Sequence, residues 1–416
     1  MKKPLPYMTA AFLTVFLDLL SFGIIIPDLQ TRAESLGLRG VAIGAVLSIY
    51  SVAQLLVAPY LGRLSDQMGR RKILLITAFL SIIAGGAYAF STFLPVMILS
   101  RILLGAAAAN LGVVYAYVSD VTEPQDRAKS MGMLGAAFGL GFLLGPPAGA
   151  LLVQVNQGHP GLLGAVSAAL GLANFLFIYF FMPEAPIREQ ESSKGGLRAQ
   201  FQRLAEGIRT PGLGPLLVLF FFANFAFSNL ESTFFRLEKT VYGLTELETS
   251  YVLVWVGIIA AVMQGALIRP LVKRFGEVNL LRFGYLLVAP TLALVPYTPP
   301  WIPLLLGCLI MGIGNGMVGP SLSSLISRAA PVALVGGVFG LTQSLGALAR
   351  IVGPSFGNWL YEYGPHVPYI VGGAIMIYPV VAAWFIKPPK DDESPSDQAP
   401  GKTPEGGAEG QIVTSS

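Results

Sequence analysis

Twelve separate stretches of this chain are predominantly apolar over 20 residues or more, and that feature decides most of what it can fold into. They lie near residues 8–27, 41–61, 73–93, 95–118, 131–155, 161–182, 213–235, 249–268, 278–297, 301–325, 334–358 and 367–386. A helix of about 20 residues crosses a hydrocarbon layer about 30 Å thick, so the pattern predicts an all-α membrane protein with twelve spans. Only 12% of the residues are charged and 54% are apolar, with a mean hydropathy of +0.65. A soluble protein has about 25% charged residues, so a water-soluble enzyme is excluded. The 48 glycines fit helices packed in lipid, where small residues let backbones approach.

Lys2 and Lys3 precede a run that contains Asp18 and lacks a small-x-small cleavage pattern, so this run reads as the first membrane helix, not a secretory signal. The lone cysteine, Cys308, excludes an internal disulfide and a thiolate metal site, and His159 and His366 fall in short loops, so no metal site is expected. With the amino end inside, 21 of the 27 Lys and Arg fall in cytoplasmic segments; Arg32, Arg39, Arg236 and Lys239 fall outside, and Arg101 and Arg350 inside helices. This asymmetry places both termini in the cytoplasm. The basic pI is then a topology signal and no nucleic-acid partner is implied. Residues 1–182 and 213–387 form two six-helix bundles, joined by a cytoplasmic linker over 183–212 with a surface helix around Leu197 to Ile208. Residues 388–416, rich in Pro, Ser, Gly, Asp and Glu, read as a disordered tail.

The halves resemble each other at a fixed offset. Gly145-Pro146-x-x-Gly149 recurs 208 residues on as Gly353-Pro354-x-x-Gly357, while Gly69 and Gly276, and Gly105 and Gly312, stand 207 apart. Three landmarks in one register argue for a duplicated unit, and parallel repeats of this kind build transporters with a cavity between the halves.

The loop after the second span reads Gly62-Arg63-Leu64-Ser65-Asp66-Gln67-Met68-Gly69-Arg70-Arg71-Lys72. Glycines there permit a tight turn, Asp66 suits a helix amino end and Arg70 suits a nearby carboxylate. Here the chain resembles the major facilitator superfamily, whose signature in this loop is G-x-L-x-D-x-x-G-R-[RK]. The resemblance implies a two-bundle fold and a conformational latch made by Gly62, Asp66, Gly69, Arg70 and Arg71, with Asp120 and Arg127 of the 4–5 loop. The second copy has Lys273 in place of Asp66, so the latch is one-sided.

The fifth span carries Gly141-x-x-x-Gly145-Pro146-x-x-Gly149. Small residues four apart make a smooth packing face, and a proline bends the helix. Ordinary packing would explain this, but it also resembles the motif that marks antiporters of the superfamily, which points to export. The first span, Leu17-Asp18-Leu19-Leu20-Ser21-Phe22-Gly23-Ile24-Ile25-Ile26-Pro27, resembles twelve-helix drug:proton antiporters, the tetracycline efflux proteins in particular, although Gln30 replaces a second proline.

Charged groups inside the spans are costly, about 2.5–3.5 kcal/mol each at the bilayer centre. They are Asp18, Arg101 at the head of an Arg-x-x-x-Gly105 pattern, Glu231 toward the outer end of the seventh span, and Arg350. The plain reading is structural ion pairing, or for Glu231 an exposed helix end. The functional reading makes the four a proton-coupling set, with Asp18 as carrier and Arg101 moving near it to load and release the proton. Cavity candidates are Tyr50, Gln54, Asn110, Tyr115, Asn224, Asn229, Trp255, Asn315 and Gln343; Asn110, Asn224 and Asn315 lead because the family resemblance puts helices 1, 4, 7 and 10 at the centre.

The expected function is export of amphipathic drugs or tetracycline-like compounds by a monomer in the cell membrane. Protons supply the drive, since no phosphate-binding Gly-x-x-x-x-Gly-Lys-[Ser/Thr] loop is present and no cofactor is implied. An exporter or facilitator of a metabolite or lipid with the same fold stays open, as does, further off, a membrane enzyme or receptor.

Overall fold

The computed structural model describes residues 5–122, 127–155, 159–185, 202, 205–210, 212–329 and 335–386, and these contain helices, turns and bends but no strand. The expected tail and most of the linker lie outside the described residues, although 205–209 are helical. The described helices are α1 Leu5–Ser35, α2 Val41–Met68, α3 Arg70–Ala89, α4 Leu94–Val121, α5 Arg127–Val155 and α6 Pro160–Phe181 in the first half. In the second they are α7 Leu213–Val241, α8 Leu247–Phe275, α9 Glu277–Tyr297, α10 Ile302–Ala329, α11 Val335–Tyr361 and α12 Val367–Trp384. Eleven are long and apolar enough to cross a bilayer, and α11 is a further helix of 27 residues. The chain is an all-helical membrane protein.

The helix boundaries follow local chemistry. Gly69 and Gly276 end α2 and α8 at φ 95° and φ 75°, where a side chain would be strained. Prolines open α4, α6 and α12, where the missing N–H costs nothing. Gly62 departs from expectation: it lies inside α2, so Gly69 alone makes the turn. The fourth span is also not continuous. It breaks after Ala108 and resumes at Leu111, and the Gln54 side chain donates to the Ala108 carbonyl at 3.1 Å in place of part of the interrupted ladder.

Several helices run further than the apolar pattern indicates, α1 and α7 among them. Asp28 and Arg32, beyond the expected end of the first span, sit buried in α1 as an ion pair at 2.6 Å, and the Tyr88 hydroxyl donates to Asp28 at 2.7 Å. Arg32 is therefore no loop charge, and Arg236 and Lys239 likewise belong to α7. At Arg32 and Arg236 neighbouring side chains answer the charge.

Packing reproduces the duplication. In the first half α1 packs on α5 and α6, and α3 on α4 and α6; the second half repeats this with α7 on α11 and α12, and α9 on α10 and α12. The glycine motifs make the first of these seams. A Cβ at Gly145 would stand 2.6 Å from the Gly23 Cα, and one at Gly353 would stand 2.9 Å from the Ser228 Cβ. Gly141 and Gly149 also face α1, and Gly357 faces Asn229 of α7. Between halves the main contacts are α2 with α11 and α5 with α8, again a symmetric pair.

Candidate substrate and proton site

Five ionisable side chains, one each from three helices of the first half and two of the second, approach a common region. Counting 1.5 Å per residue, Tyr50, Arg101, Glu231 and Arg350 each lie about 10–17 Å from the helix end remote from the Gly69 and Gly276 turns, hereafter the far end; Asp18 lies about 25 Å from it. The end with those turns, rich in Arg and Lys, is the basic end.

Asp18 does not meet Arg101. Its carboxylate accepts from the Asn110 amide at 2.8 Å and the Asn174 amide at 3.0 Å, so α4 and α6 hold it through neutral donors. Arg101 sits farther toward the far end, with its guanidinium over the ring of Tyr50 at 5.0 Å and that of Phe22 at 5.8 Å. These rings are themselves 4.7 Å apart. Phe22, one turn beyond Asp18 on α1, is the α1 side chain beside Arg101. The Arg101 Nε and Nη1 atoms have no hydrogen-bond partner among the described residues.

Glu231 is no exposed helix end, because α7 runs ten residues past it. It lies within electrostatic reach of Arg350 and Arg101, and Tyr50 is within reach of both arginines, Asp18 and Glu231. Tyr50 is therefore the hub of the set. None of the four charged groups forms a direct ion pair among the described residues.

The other cavity candidates divide. Asn224 donates to the Phe220 carbonyl at 2.8 Å, and its Oδ1, with the Arg350 Nη1, borders the space beside Gly346. Asn315 lines a narrow apolar cleft with Phe227, Leu230 and Met311, and Tyr115 packs on the basic-end core. Asn110 is committed to Asp18 and Gln54 to the break in α4. Asn229 donates to the Pro368 carbonyl at 3.0 Å and Trp255 to the Leu305 carbonyl at 3.1 Å, so both tie helices together. The side chains of Gln343 and Arg127 lie outside the described residues.

At the basic end, Arg70 reaches Asp66 at 2.5 Å, Asp120 at 3.1 Å and the Ser65 hydroxyl at 2.6 Å. Arg71 donates to the Ile178 carbonyl at 3.5 Å and to that of Tyr179 at 2.5 Å, closing the end of α6. All these partners belong to the first half. Nearby, a Cβ at Gly135 or Gly139 on α5, or at Gly265 on α8, would meet nothing within 4 Å, so no neighbouring helix lies against these positions toward the basic end.

The far end is closed. Arg236 pairs with Glu34 across the halves at 2.6 Å and bonds Asn358 at 2.9 Å; the Ser48 hydroxyl donates to the Ile351 carbonyl at 2.6 Å. The Gln30 amide meets the Ser232 carbonyl, and Gly44 lies against the backbone of Pro354 and Ser355. The hydroxyl of Ser250 on α8 donates to the Pro146 carbonyl on α5 at 3.4 Å.

Two six-helix repeats, closed at one end and holding charged groups inside their helices, match the Major Facilitator Superfamily over residues 11–354. The chain belongs to that superfamily. Relatives include Multidrug resistance protein 2 of Bacillus subtilis, 26% identical with 94% of this chain and 99% of that protein covered. Tetracycline resistance protein, class D, of Salmonella ordonez is 30% identical with 85% and 88% covered. The crystal structure of the human organic anion transporter MFSD10 (TETRAN) superposes with a TM-score of 0.72 at 25% identity, covering 92% of this chain and 100% of that one. This superfamily member is a transporter, not an enzyme.

Proposed function

We propose that the chain is a proton-coupled antiporter that exports amphipathic compounds, with drugs and tetracycline-like molecules among them, by alternating access. The observation that carries the reading is the set of Tyr50, Arg101, Glu231 and Arg350, inside the helix bundle between two repeats whose hydrogen bonds and ion pair with each other lie at the far end. The positive-charge rule puts the basic end in the cytoplasm, so this conformation opens inward, with both termini cytoplasmic in the cell membrane. The chain works as a monomer, and the proton gradient supplies the drive.

Asp18 is the coupling carboxylate. Asn110 and Asn174 hold it, so a proton arriving on one oxygen turns an acceptor into a donor and disrupts its bond with the amide there, which links protonation to the packing of α1 on α4 and α6. The tetracycline and multidrug names of the relatives support amphipathic cargo. The test is reconstitution in vesicles with an imposed pH gradient and a panel of antibiotics and dyes. Substrate-dependent proton flux is expected, and full proton-driven export by Asp18→Asn would remove Asp18 from this role. Flux with lipids or metabolites but none of the panel would reassign the cargo.

A further inference from the structure

The two arginines of the cluster are short of negative charge. Arg101 is 2% exposed, with two guanidinium nitrogens lacking partners. Arg350, on the opposite half, directs its Nη1 toward the space beside Gly346, bordered by Phe220 and the Asn224 Oδ1, and also lacks an ion-pair partner among the described residues. Glu231 is the acid within reach of both, whereas the oxygens of Asp18 are taken by two amides. A guanidinium does not give up its proton in a protein, and a buried cation without a counter-charge is unfavourable. The balancing charge then arrives with a ligand.

We propose that Arg101 and Arg350 form an anion clamp that holds the carboxylate or sulfonate of an amphipathic substrate between the two halves. This rests on the central cavity being the substrate site and narrows its cargo to amphipathic anions. The rings of Phe22 and Tyr50 lie against the Arg101 guanidinium, and a cation held over ring faces keeps its in-plane N–H groups for an oxyanion. A fork of such donors matches a carboxylate with two parallel bonds. At Arg350 the absence of a side chain on Gly346 keeps Nη1 uncovered on that side: a Cβ there would stand 3.4 Å from Nη1 and 3.7 Å from the Phe220 ring. The charged head of the ligand meets Nη1, and its apolar body lies against Phe220.

The experiment compares three probes with one aromatic body, a naphthalene carrying a carboxylate, its methyl ester, and an aminomethyl group, binding to the purified full chain in lipid nanodiscs. The acid is expected to bind at least tenfold more tightly than the ester or amine. Arg101→Gln and Arg350→Gln are each expected to weaken the acid at least tenfold, to leave the ester within about twofold, and to flatten the preference among the probes; Arg350→Lys keeps part of it. Ester or amine binding within twofold of the acid overturns the clamp. So does unchanged acid affinity in a folded Arg350→Gln chain. If neither glutamine variant folds, the wild-type comparison decides alone. Proton-driven flux of the amine without acid binding sinks the clamp and leaves antiport standing; acid binding without proton-driven flux of any probe does the reverse.

Discussion

Arg236 of α7 places its Nε 2.6 Å from the Oε1 of Glu34 at the end of α1, so one ion pair ties the two halves together at the far end. The same guanidinium bonds Asn358 and lies 4.2 Å from the Tyr361 ring centroid. Because the Glu34 side chain is 40% exposed, the pair contributes at most about 1 kcal/mol to closure, a factor of about five in population. Arg236→Gln is therefore expected to raise far-side labelling of a Ser48→Cys reporter, which sits under the seam, by about three- to fivefold. The exchange Glu34→Arg with Arg236→Glu should recover part of the closure. Unchanged labelling in Arg236→Gln would show that the surrounding contacts close the far end without the pair.

Gly44 and Gly145 are both tight glycines, but a side chain acts differently at each. Gly145 meets Gly23 within one half, so Gly145→Val overfills a folding core and should cost about 1–3 kcal/mol of stability. Gly44 meets Pro354 and Ser355 of the other half, so Gly44→Val should leave each bundle folded and hold the far end apart. Gly135→Ala, in open space, is the control. Melting temperature should fall for Gly145→Val alone, and far-side labelling should rise for Gly44→Val alone.

The spans, the duplication and the seam glycines were legible because each is a local or periodic pattern. Twelve apolar runs must be helices in lipid, and Gly145 and Gly353 announce close packing by their spacing. Partner choice was not legible. Asp18 and Arg101 read as a pair because the apolar runs put both well inside the membrane, but α1 continues to Ser35, so Asp18 lies about 15 Å farther from the far end than Arg101, and Phe22 is the α1 side chain beside that guanidinium. Asn174 carries a signal, an amide inside the apolar sixth span, but the sixth helix is not among those the family resemblance puts at the centre. Arg32 and Arg236 read as loop charges because hydropathy marks where lipid ends, whereas α1 and α7 continue past that point and pair both with protein groups.

Asn174 gives a direct test of how Asp18 is held. Asn174→Leu removes one of the two amide donors to the carboxylate, and hydrogen bonds to charged groups contribute about 1.5–3 kcal/mol. The variant is expected to lose about that much stability, measured by unfolding in detergent. In an Asp18→Asn background the same substitution should cost less, because a neutral amide is cheaper to leave unpaired. Equal costs in both backgrounds would mean that Asn174 acts through packing alone.

Arg70 serves two acids of unequal burial, and its loss should be read mainly through the deeper one. The Asp120 side chain is 6% exposed and that of Asp66 34%. Removing one partner of a buried pair strands the other, at a cost of about 3–5 kcal/mol, whereas an exposed pair is worth about 1 kcal/mol or less. Arg70→Gln should therefore destabilise the first bundle by about 3 kcal/mol, and Asp66→Asn by less than 1. Adding Asp120→Asn to Arg70→Gln should restore part of the loss, since the stranded charge is gone. Thermal unfolding of the three variants decides the matter: if Arg70→Gln and Asp66→Asn fall equally, the Asp120 contact carries no weight, and the loop is held by its exposed pair and the Gly69 turn.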